Sequence, residues 1–211
     1  MAHAMKTPLT VIKGYSATMR RRLEGDAGEM AGDIEQAADR VTRILNQLVD
    51  VWRLESETMA VNPRRVEVVG LVDDVVSRFG RSEGQTISFE APEHDLHCIA
   101  DETSLRRSLE ELLRNARQYS AAGKPITVET AVSAGQVEVA VRDEGSGISE
   151  DDLPRITEKH FRAAGAPGEG LGLGLYIADR SLARQNGRLE AESTLGQGST
   201  MRVILPQATG G

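Results

Sequence analysis

Apolar positions in the first quarter of the chain recur at the spacing of an α-helix. From Met30 to Val51 they alternate steps of four and three residues, which is the heptad pattern of a coiled coil. The positions of this heptad seam are Met30, Ile34, Ala37, Val41, Ile44, Leu48 and Val51. A similar stripe precedes it at Met5, Leu9, Ile12, Tyr15 (or Ser16), Met19 and Leu23. The short glycine-bearing stretch 24–28 between them predicts that the two helices fold back antiparallel.

Two amphipathic helices cannot bury both apolar stripes by themselves. A homodimer that joins two such hairpins into a four-helix bundle buries them most economically. We therefore predict a dimeric four-helix bundle for residues 1–56, with a plain structural coiled coil as the alternative.

Beyond residue 56 the pattern changes to short strands that alternate with separate helices. The predicted strands are 65–69, 86–89, 97–100, 126–132, 137–142, 189–193 and 200–205. The predicted helices are 71–79, 104–119 and a last one that ends at Asn186, before Gly187. Strands grouped in hairpins, with helices on one face, indicate an α+β two-layer sandwich and not a doubly wound sheet. We expect this domain to span residues 65–211, after a linker at 57–64.

Composition and charge exclude several classes of function. A net charge of -7 argues against a nucleic-acid-binding surface, which requires a basic stripe. No apolar run approaches the roughly 20 residues that span a bilayer. Cys98 is the only cysteine, which excludes an internal disulfide and suits a reducing cytosol. The four histidines show no metal-ligand spacing.

Three motifs carry candidate chemistry. The carboxylate of Asp143, in the run DEGSGI, ends a predicted strand and can accept a hydrogen bond from an exocyclic amine. The run GLGLGLYI at 170–177 leads into a helix, so backbone amides there can face phosphates. Glu111 and Asn115 share one helical face, and an amide oxygen suits Mg²⁺. Each motif alone also occurs in ordinary loops, helix packing and solvated helices, so their combination and order carry the prediction.

In that order the motifs resemble a known family. Asn115 and the runs 143–147, 170–174 and 196–200 resemble the N box and the three glycine boxes of the Bergerat ATP-binding fold. Histidine kinases, DNA gyrase, the Hsp90 chaperones and the MutL repair proteins share that fold. The run AHAMKTPLT at 2–10 resembles the H box of histidine kinases, and 54–56 resembles the usual end of their second helix. The sequence thus resembles the cytoplasmic core of a sensor histidine kinase.

The resemblance implies roles for individual residues. His3 would be the phosphoacceptor, Thr7 would orient water when a response regulator is dephosphorylated, and Arg162 would face the γ-phosphate. ATP and Mg²⁺ are the implied cofactors, with Asn115 on the metal and Asp143 on the adenine amine. The other implied nucleotide-binding residues are Tyr119, Gly145, Gly147, Ile148, Gly170, Gly172, Gly174 and Ser199. Residues 149–169 would form a lid over ATP.

The implied partners are a second copy of the chain and the receiver domain of a response regulator, with no nucleic acid. The implied location is cytoplasmic, with the membrane reached only through segments that are absent from this sequence. Because His3 is the third residue, we expect a sensor and a signal-transmitting helix upstream of it.

Four features depart from the family pattern, and one of them is the thinned aromatic pattern of the lid at 156–162. Ala4 stands where an acidic residue usually assists the phosphoacceptor, which predicts a weakened autokinase. Glu111 resembles the water-activating glutamate of gyrase-like ATPases, and Gln118 replaces a common basic residue. Two alternatives to a kinase therefore stay open at this point: a gyrase- or Hsp90-like ATPase, and a non-catalytic nucleotide-binding module that docks a regulator.

Overall fold

The computed structural model describes residues 2–80, 85–92, 95–121, 123–167 and 170–208, with side chains from Thr7 onward. The chain divides into two compact units, Met1–Met59 and Ala60–Gly211. Within the described ranges, no helix has the length and apolar character needed to cross a membrane.

The first unit is a helical hairpin of α1 (Ala2–Arg22) and α2 (Asp26–Glu55). The connection is shorter than the predicted stretch 24–28, and Asp26 and Glu29 place negative charge in the first turn of α2, where it is favourable. Gly25 has a φ of 62° and reverses the chain. A Cβ atom at Gly28 would lie 2.7 Å from the carbonyl oxygen of Leu23, so only glycine fits this approach.

Small side chains lie between α1 and α2. Ser16, Ala31 and Ala38 are all buried. Two ion pairs join the antiparallel helices, Lys13–Asp39 at 2.7 Å and Arg20–Glu35 at 3.0 Å. Ser16 therefore faces α2, while Tyr15, the residue before it, points outward.

Large apolar side chains lie on the outside of the single hairpin. Met30 is 64% exposed and Tyr15 is 69% exposed. Other exposed apolar residues of the two helices are Ile12, Met19, Ile34, Val41 and Leu48. Trp52, the only tryptophan of the chain, is exposed one helical turn beyond Leu48. Most of the heptad seam is thus uncovered in one copy of the chain.

The second unit contains a five-stranded sheet with helices on one face. Its elements are β1 (Arg64–Glu67), α3 (Val68–Gly80), β2 (Ile87–Glu90), β3 (His97–Ala100), α4 (Glu102–Tyr119), β4 (Ile126–Ser133), β5 (Gln136–Asp143), a 3₁₀ turn (Leu153–Arg155), α5 (Gly174–Ala183), β6 (Arg188–Thr194) and β7 (Gly198–Pro206). The sheet order is β2-β4-β5-β7-β6, with β2 parallel to β4 and the other pairs antiparallel. β1 pairs separately with β3.

The core of the second unit lies between this sheet and its helices. Alternate residues of β5 face the helices, and Val137, Val139 and Val141 are each 1% exposed. On the other face Arg202 forms ion pairs with Glu138 and Glu192. One covered and one solvated face make a two-layer sandwich, so the predicted α+β fold class is confirmed.

Two predicted boundaries were wrong for local reasons. The strand predicted at 65–69 ends at Glu67, because its carboxylate accepts the N–H groups of Val69 and Gly70, both at 2.7 Å, and starts α3 at Val68. The last helix ends at Ala183 and not at Asn186, which has a left-handed φ of 59°.

Candidate nucleotide-binding site

A cavity of about 370 Å³ opens between α4, the loop after β5, the segment 156–167 and the start of β7. This volume is within the range of about 300–1,000 Å³ that is typical of small-molecule sites. Seven of the residues predicted for the site line it: Asn115, Tyr119, Asp143, Gly147, Ile148, Arg162 and Ser199. Residues distant in the sequence therefore meet in one concave site.

Asp143 lies in the cavity because of strand periodicity. It continues the inward row of β5 two residues after Val141, so its carboxylate takes a core-facing position and is only 7% exposed. Burial raises the pKa of Asp143, although hydrogen bonds from the backbone N–H groups of Gly145 and Ser199 oppose the rise. The Gly145 bond is 2.8 Å long. The site thus holds a buried acceptor with a fixed orientation.

Two glycines after Asp143 are required by close backbone contacts. A Cβ atom at Gly145 would collide with the carbonyl oxygen of Tyr119. Gly147 has a φ of 65°, and a Cβ atom there would collide with the carbonyl oxygen of Thr194. The loop is therefore pressed between the end of α4 and the β6–β7 turn, with no room for side chains at these positions.

Helix α4 presents one face to the cavity. Asp101 starts the helix, with its carboxylate accepting the N–H of Ser104 at 2.8 Å. Asn115 and Tyr119 are one turn apart and both line the cavity. Burial raises the pKa of the Tyr119 phenol, and the nearby Arg162 opposes this. The amide of Asn115 is the candidate metal ligand in this group.

Two other residues of α4 point away from the predicted chemistry. The Glu111 carboxylate forms an ion pair with Arg114 at 2.7 Å and is not in the cavity lining. The Arg117 guanidinium donates to the carbonyl of Phe79 at 2.6 Å and lies over its ring. Arg117 therefore does not replace the basic residue that the family often has three positions after Asn115.

The segment over the cavity is held by Arg162 and Gln118. The Arg162 guanidinium donates to the carbonyl oxygens of Gly170 at 2.9 Å and Ala166 at 3.0 Å. The side-chain amide of Gln118 donates to the carbonyl of Pro167. Gln118 therefore anchors the described part of the predicted lid to α4.

The predicted phosphate-binding glycines lie beside the cavity and outside its lining. Gly172 has a φ of 64°, and a Cβ atom there would lie 2.5 Å from the carbonyl oxygen of Phe161. The carbonyl of Gly172 also accepts the N–H of His160 at 2.9 Å. Gly174 begins α5, and a side chain at Gly170 would meet open space. Gly172 is thus required by packing against the lid, whereas Gly170 is not.

The sequence pattern does not single out Ser193, which the structure places at the base of the site. Its hydroxyl lies 2.8 Å from the N–H nitrogen of Ile148 and 2.9 Å from the hydroxyl of Ser199. The sequence predicts the two strands β6 and β7. Only their register, which the structure supplies, sets Ser193 opposite Ser199.

The predicted phosphoacceptor belongs to the other unit. His3 and Ala4 are within α1, but their side chains lie outside the described residues. Thr7 is exposed on α1, one turn from His3, with Pro8 next to it inside the helix. Among the described residues, no cluster of three or more His, Cys, Asp or Glu side chains has the geometry of a metal site.

Two protein-family models match the chain. One, described as a histidine kinase-, DNA gyrase B- and HSP90-like ATPase, matches residues 100–209, just over half of the chain. The other, described as a His Kinase A (phospho-acceptor) domain, matches residues 1–57.

Curated relatives match over nearly the whole sequence. Sensor histidine kinase YcbM of Bacillus subtilis is 28% identical over 99% of this chain and 70% of its own length. Histidine protein kinase DivJ of Caulobacter vibrioides is 30% identical over 98% of this chain but 36% of its own length. For sensor histidine kinase WalK of B. subtilis the identity is 25%, and the chain spans 35% of that protein. The chain thus corresponds to about a third of the length of several relatives.

Solved structures share the fold. ShkA, solved full-length in complex with AMPPNP, has a TM-score of 0.76 at 24% identity, covering 99% of this chain and 45% of ShkA. The histidine kinase AdeS of Acinetobacter baumannii has a TM-score of 0.65 at 19% identity, covering 99% of this chain and 100% of AdeS.

Proposed function

Since this chain belongs to the histidine kinases, we propose that it transfers the γ-phosphoryl group of ATP to His3 and then to an aspartate of a response regulator. The observation that carries the nucleotide part is the buried Asp143 carboxylate in a cavity of about 370 Å³. A buried acceptor matches the exocyclic amine of adenine. The AMPPNP complex of ShkA also supports an adenine nucleotide as the ligand.

The metal part of the proposal concerns Asn115. Proteins commonly bind Mg²⁺ through one or two side chains and complete its coordination with water and substrate phosphates. A single amide oxygen in the cavity fits that mode. When bound, Mg²⁺ would neutralise charge on the triphosphate. The role of this chain would be to orient the triphosphate between Asn115 and the glycine run 170–174.

The chemical step rests on His3. A neutral imidazole has a nucleophilic ring nitrogen, so the neutral form of His3 would be the reactive one. The nitrogen would form a bond to the γ-phosphorus while the bond to the bridging oxygen breaks, and ADP would leave with that electron pair. The ring proton would pass to water, because Ala4 supplies no carboxylate.

Arg162 would stabilise the transferring phosphoryl group, in which negative charge is spread over the oxygens. In this structure its guanidinium donates to the carbonyls of Gly170 and Ala166. A contact with phosphate therefore requires that Arg162 exchange these acceptors for phosphate oxygens when ATP binds.

The environment of Glu111 disfavours a gyrase-like ATPase. A carboxylate that activates water must be free to accept a proton, whereas Glu111 is paired with Arg114 at 2.7 Å. The kinase proposal accounts for the hairpin as well, because it needs a separate phosphoacceptor.

The exposed seam supports a homodimer. Two copies of the hairpin would bury the apolar faces of α1 and α2 in a four-helix bundle. We assign residues 1–56 to dimerisation and phosphotransfer, 57–64 to a linker and 65–211 to ATP binding. The location proposed for this core is the cytoplasm, where response regulators act.

The proposed function is tested by incubating the chain with γ-labelled ATP and Mg²⁺. A kinase retains label on the protein in an acid-labile, base-stable linkage, whereas an ATPase releases it as free phosphate. Nucleotide binding without either product would identify a docking module. Label that then moves to a receiver-domain protein would support the second transfer.

Replacing Asn115 with Ala should weaken Mg²⁺-dependent ATP binding by at least about tenfold, because the metal loses its protein ligand. The weaker affinity measured without Mg²⁺ should not change. Calorimetry with and without the metal separates the two quantities. Asn46→Ala in α2 is the matched control, and equal Mg²⁺ dependence in both variants would remove Asn115 from the metal role.

Replacing Ala4 with Glu should raise the rate of autophosphorylation by at least about tenfold, a cautious part of the gain from general-base assistance. Labelled phosphohistidine at early times measures this rate. An unchanged phosphohistidine yield in Ala4→Glu, with ATP still bound, would show that the missing carboxylate does not limit the reaction.

Dephosphorylation of a regulator is assigned to Thr7. The variant Thr7→Ala should therefore lose this phosphatase activity while its ATP affinity stays unchanged.

A further inference from the structure

The hydroxyl of Ser193 joins three parts of the nucleotide site. Its oxygen lies 2.8 Å from the backbone nitrogen of Ile148 and 2.8 Å from the carbonyl oxygen of Gly198. It also lies 2.9 Å from the hydroxyl oxygen of Ser199. The loop after β5, strand β6 and the start of β7 therefore share this one group.

The chemistry of the neighbours fixes the direction of every hydrogen bond. A hydroxyl has one hydrogen and two lone pairs. The carbonyl of Gly198 can only accept, so it takes the hydrogen of Ser193. The N–H of Ile148 can only donate, so it occupies one lone pair. The remaining lone pair must accept the hydroxyl hydrogen of Ser199, which is therefore directed at Ser193 and away from the cavity.

Ser199 lines the cavity, and with its hydrogen used it offers only lone pairs there. The Asp143 carboxylate beside it is likewise an acceptor. An adenine ring carries an amine with two hydrogens at position 6 of the purine, whereas guanine carries an oxygen acceptor there. Two acceptors suit the amine and repel the oxygen.

We propose that Ser193 is a specificity-determining positioning residue, which holds the Ser199 hydroxyl as an acceptor and so selects a 6-amino purine over a 6-oxo purine. The inference rests on the proposed binding of ATP and adds a residue that does not itself touch the nucleotide. A purely structural Ser193 would affect both purines equally. A Ser193 that orients the Ser199 hydroxyl would instead change the ratio of the affinities for the two purines.

The test compares Ser193→Ala with the parent chain by calorimetric titration with Mg-ATP and Mg-GTP. Without Ser193 the Ser199 hydroxyl can rotate and donate to the guanine oxygen. The preference for ATP over GTP should fall about fivefold, the effect of one hydrogen bond. Ser193→Thr keeps the hydroxyl on a strand that favours β-branched residues and should restore the preference.

The control is Ser108→Ala. Ser108 is also buried, but its hydroxyl donates to the carbonyl of Ser104 in its own helix. The preference of the Ser108→Ala variant for ATP over GTP should equal that of the parent chain. An unchanged preference in Ser193→Ala, or equal losses for both nucleotides, would overturn the proposal.

A second variant covers the case in which Ser193→Ala does not fold. Ser199→Ala removes the acceptor itself, so ATP affinity should fall while GTP affinity should rise, because a lone pair that repels the guanine oxygen is gone. If its preference matches the parent, Ser199 does not discriminate and the inference is overturned. A parent chain that binds neither nucleotide overturns the proposed function, and with it this inference, before any variant is compared.

Discussion

Replacing His3 with Gln should abolish the labelled phosphoprotein while ATP affinity stays that of the parent. Glutamine keeps polarity and approximate size, but its amide nitrogen has no basic lone pair to attack phosphorus. Nucleotide binding is assigned to the other unit of the chain, so it should not change. The measurement is labelled protein after incubation with γ-labelled ATP and Mg²⁺.

His160→Gln is the matched control for this prediction. His160 lies in the lid segment, where its backbone N–H donates to Gly172 and its ring lies 3.2 Å from the carbonyl oxygen of Leu171. This position indicates packing, so the variant should still be labelled. Label that survives in His3→Gln and disappears in His160→Gln would transfer the phosphoacceptor role to the lid.

Replacing Ile44 and Leu48 together with Lys should convert the proposed dimer into monomers. Both residues belong to the heptad seam, and Leu48 is 45% exposed in the single chain. Burying unpaired ammonium groups in an apolar interface costs several kcal/mol. A cost of ~4 kcal/mol corresponds to about a thousandfold weaker association. Light scattering during size-exclusion chromatography gives the mass directly.

The control for the lysine pair adds positive charge away from the seam. Gln36 is exposed and is not a heptad-seam position, so Gln36→Lys should remain dimeric. A dimer mass in the Ile44 and Leu48 variant would mean that the seam contacts something other than a second copy. ATP affinity should stay the same in both variants.

Much of the candidate site was predictable because its signals are local. Asp143 takes its core-facing position from the two-residue period of β5, which is visible in the sequence. Gly147 follows it in a loop that needs a left-handed φ. These features depend on neighbours within a few positions, and the structure brings both into one cavity.

What escaped prediction depends on contacts between distant segments. Ser193 bonds to Ile148, 45 residues earlier, and that contact follows from the order of β5, β7 and β6 in the sheet. The predicted end of the first strand was wrong because the side chain of Glu67 caps the next helix. Periodicity also could not choose between Tyr15 and Ser16 on α1, since the choice depends on the small residues of α2 that face it.

Trp52 gives the helical unit an optical signal of its own. It is the only indole in the chain and lies on α2, whereas residues 60–211 contain none. Its fluorescence should therefore follow melting of the hairpin, and the circular dichroism of the sheet should follow the other unit. If the two units unfold separately, the two probes will have different midpoints, and nucleotide will shift only the second.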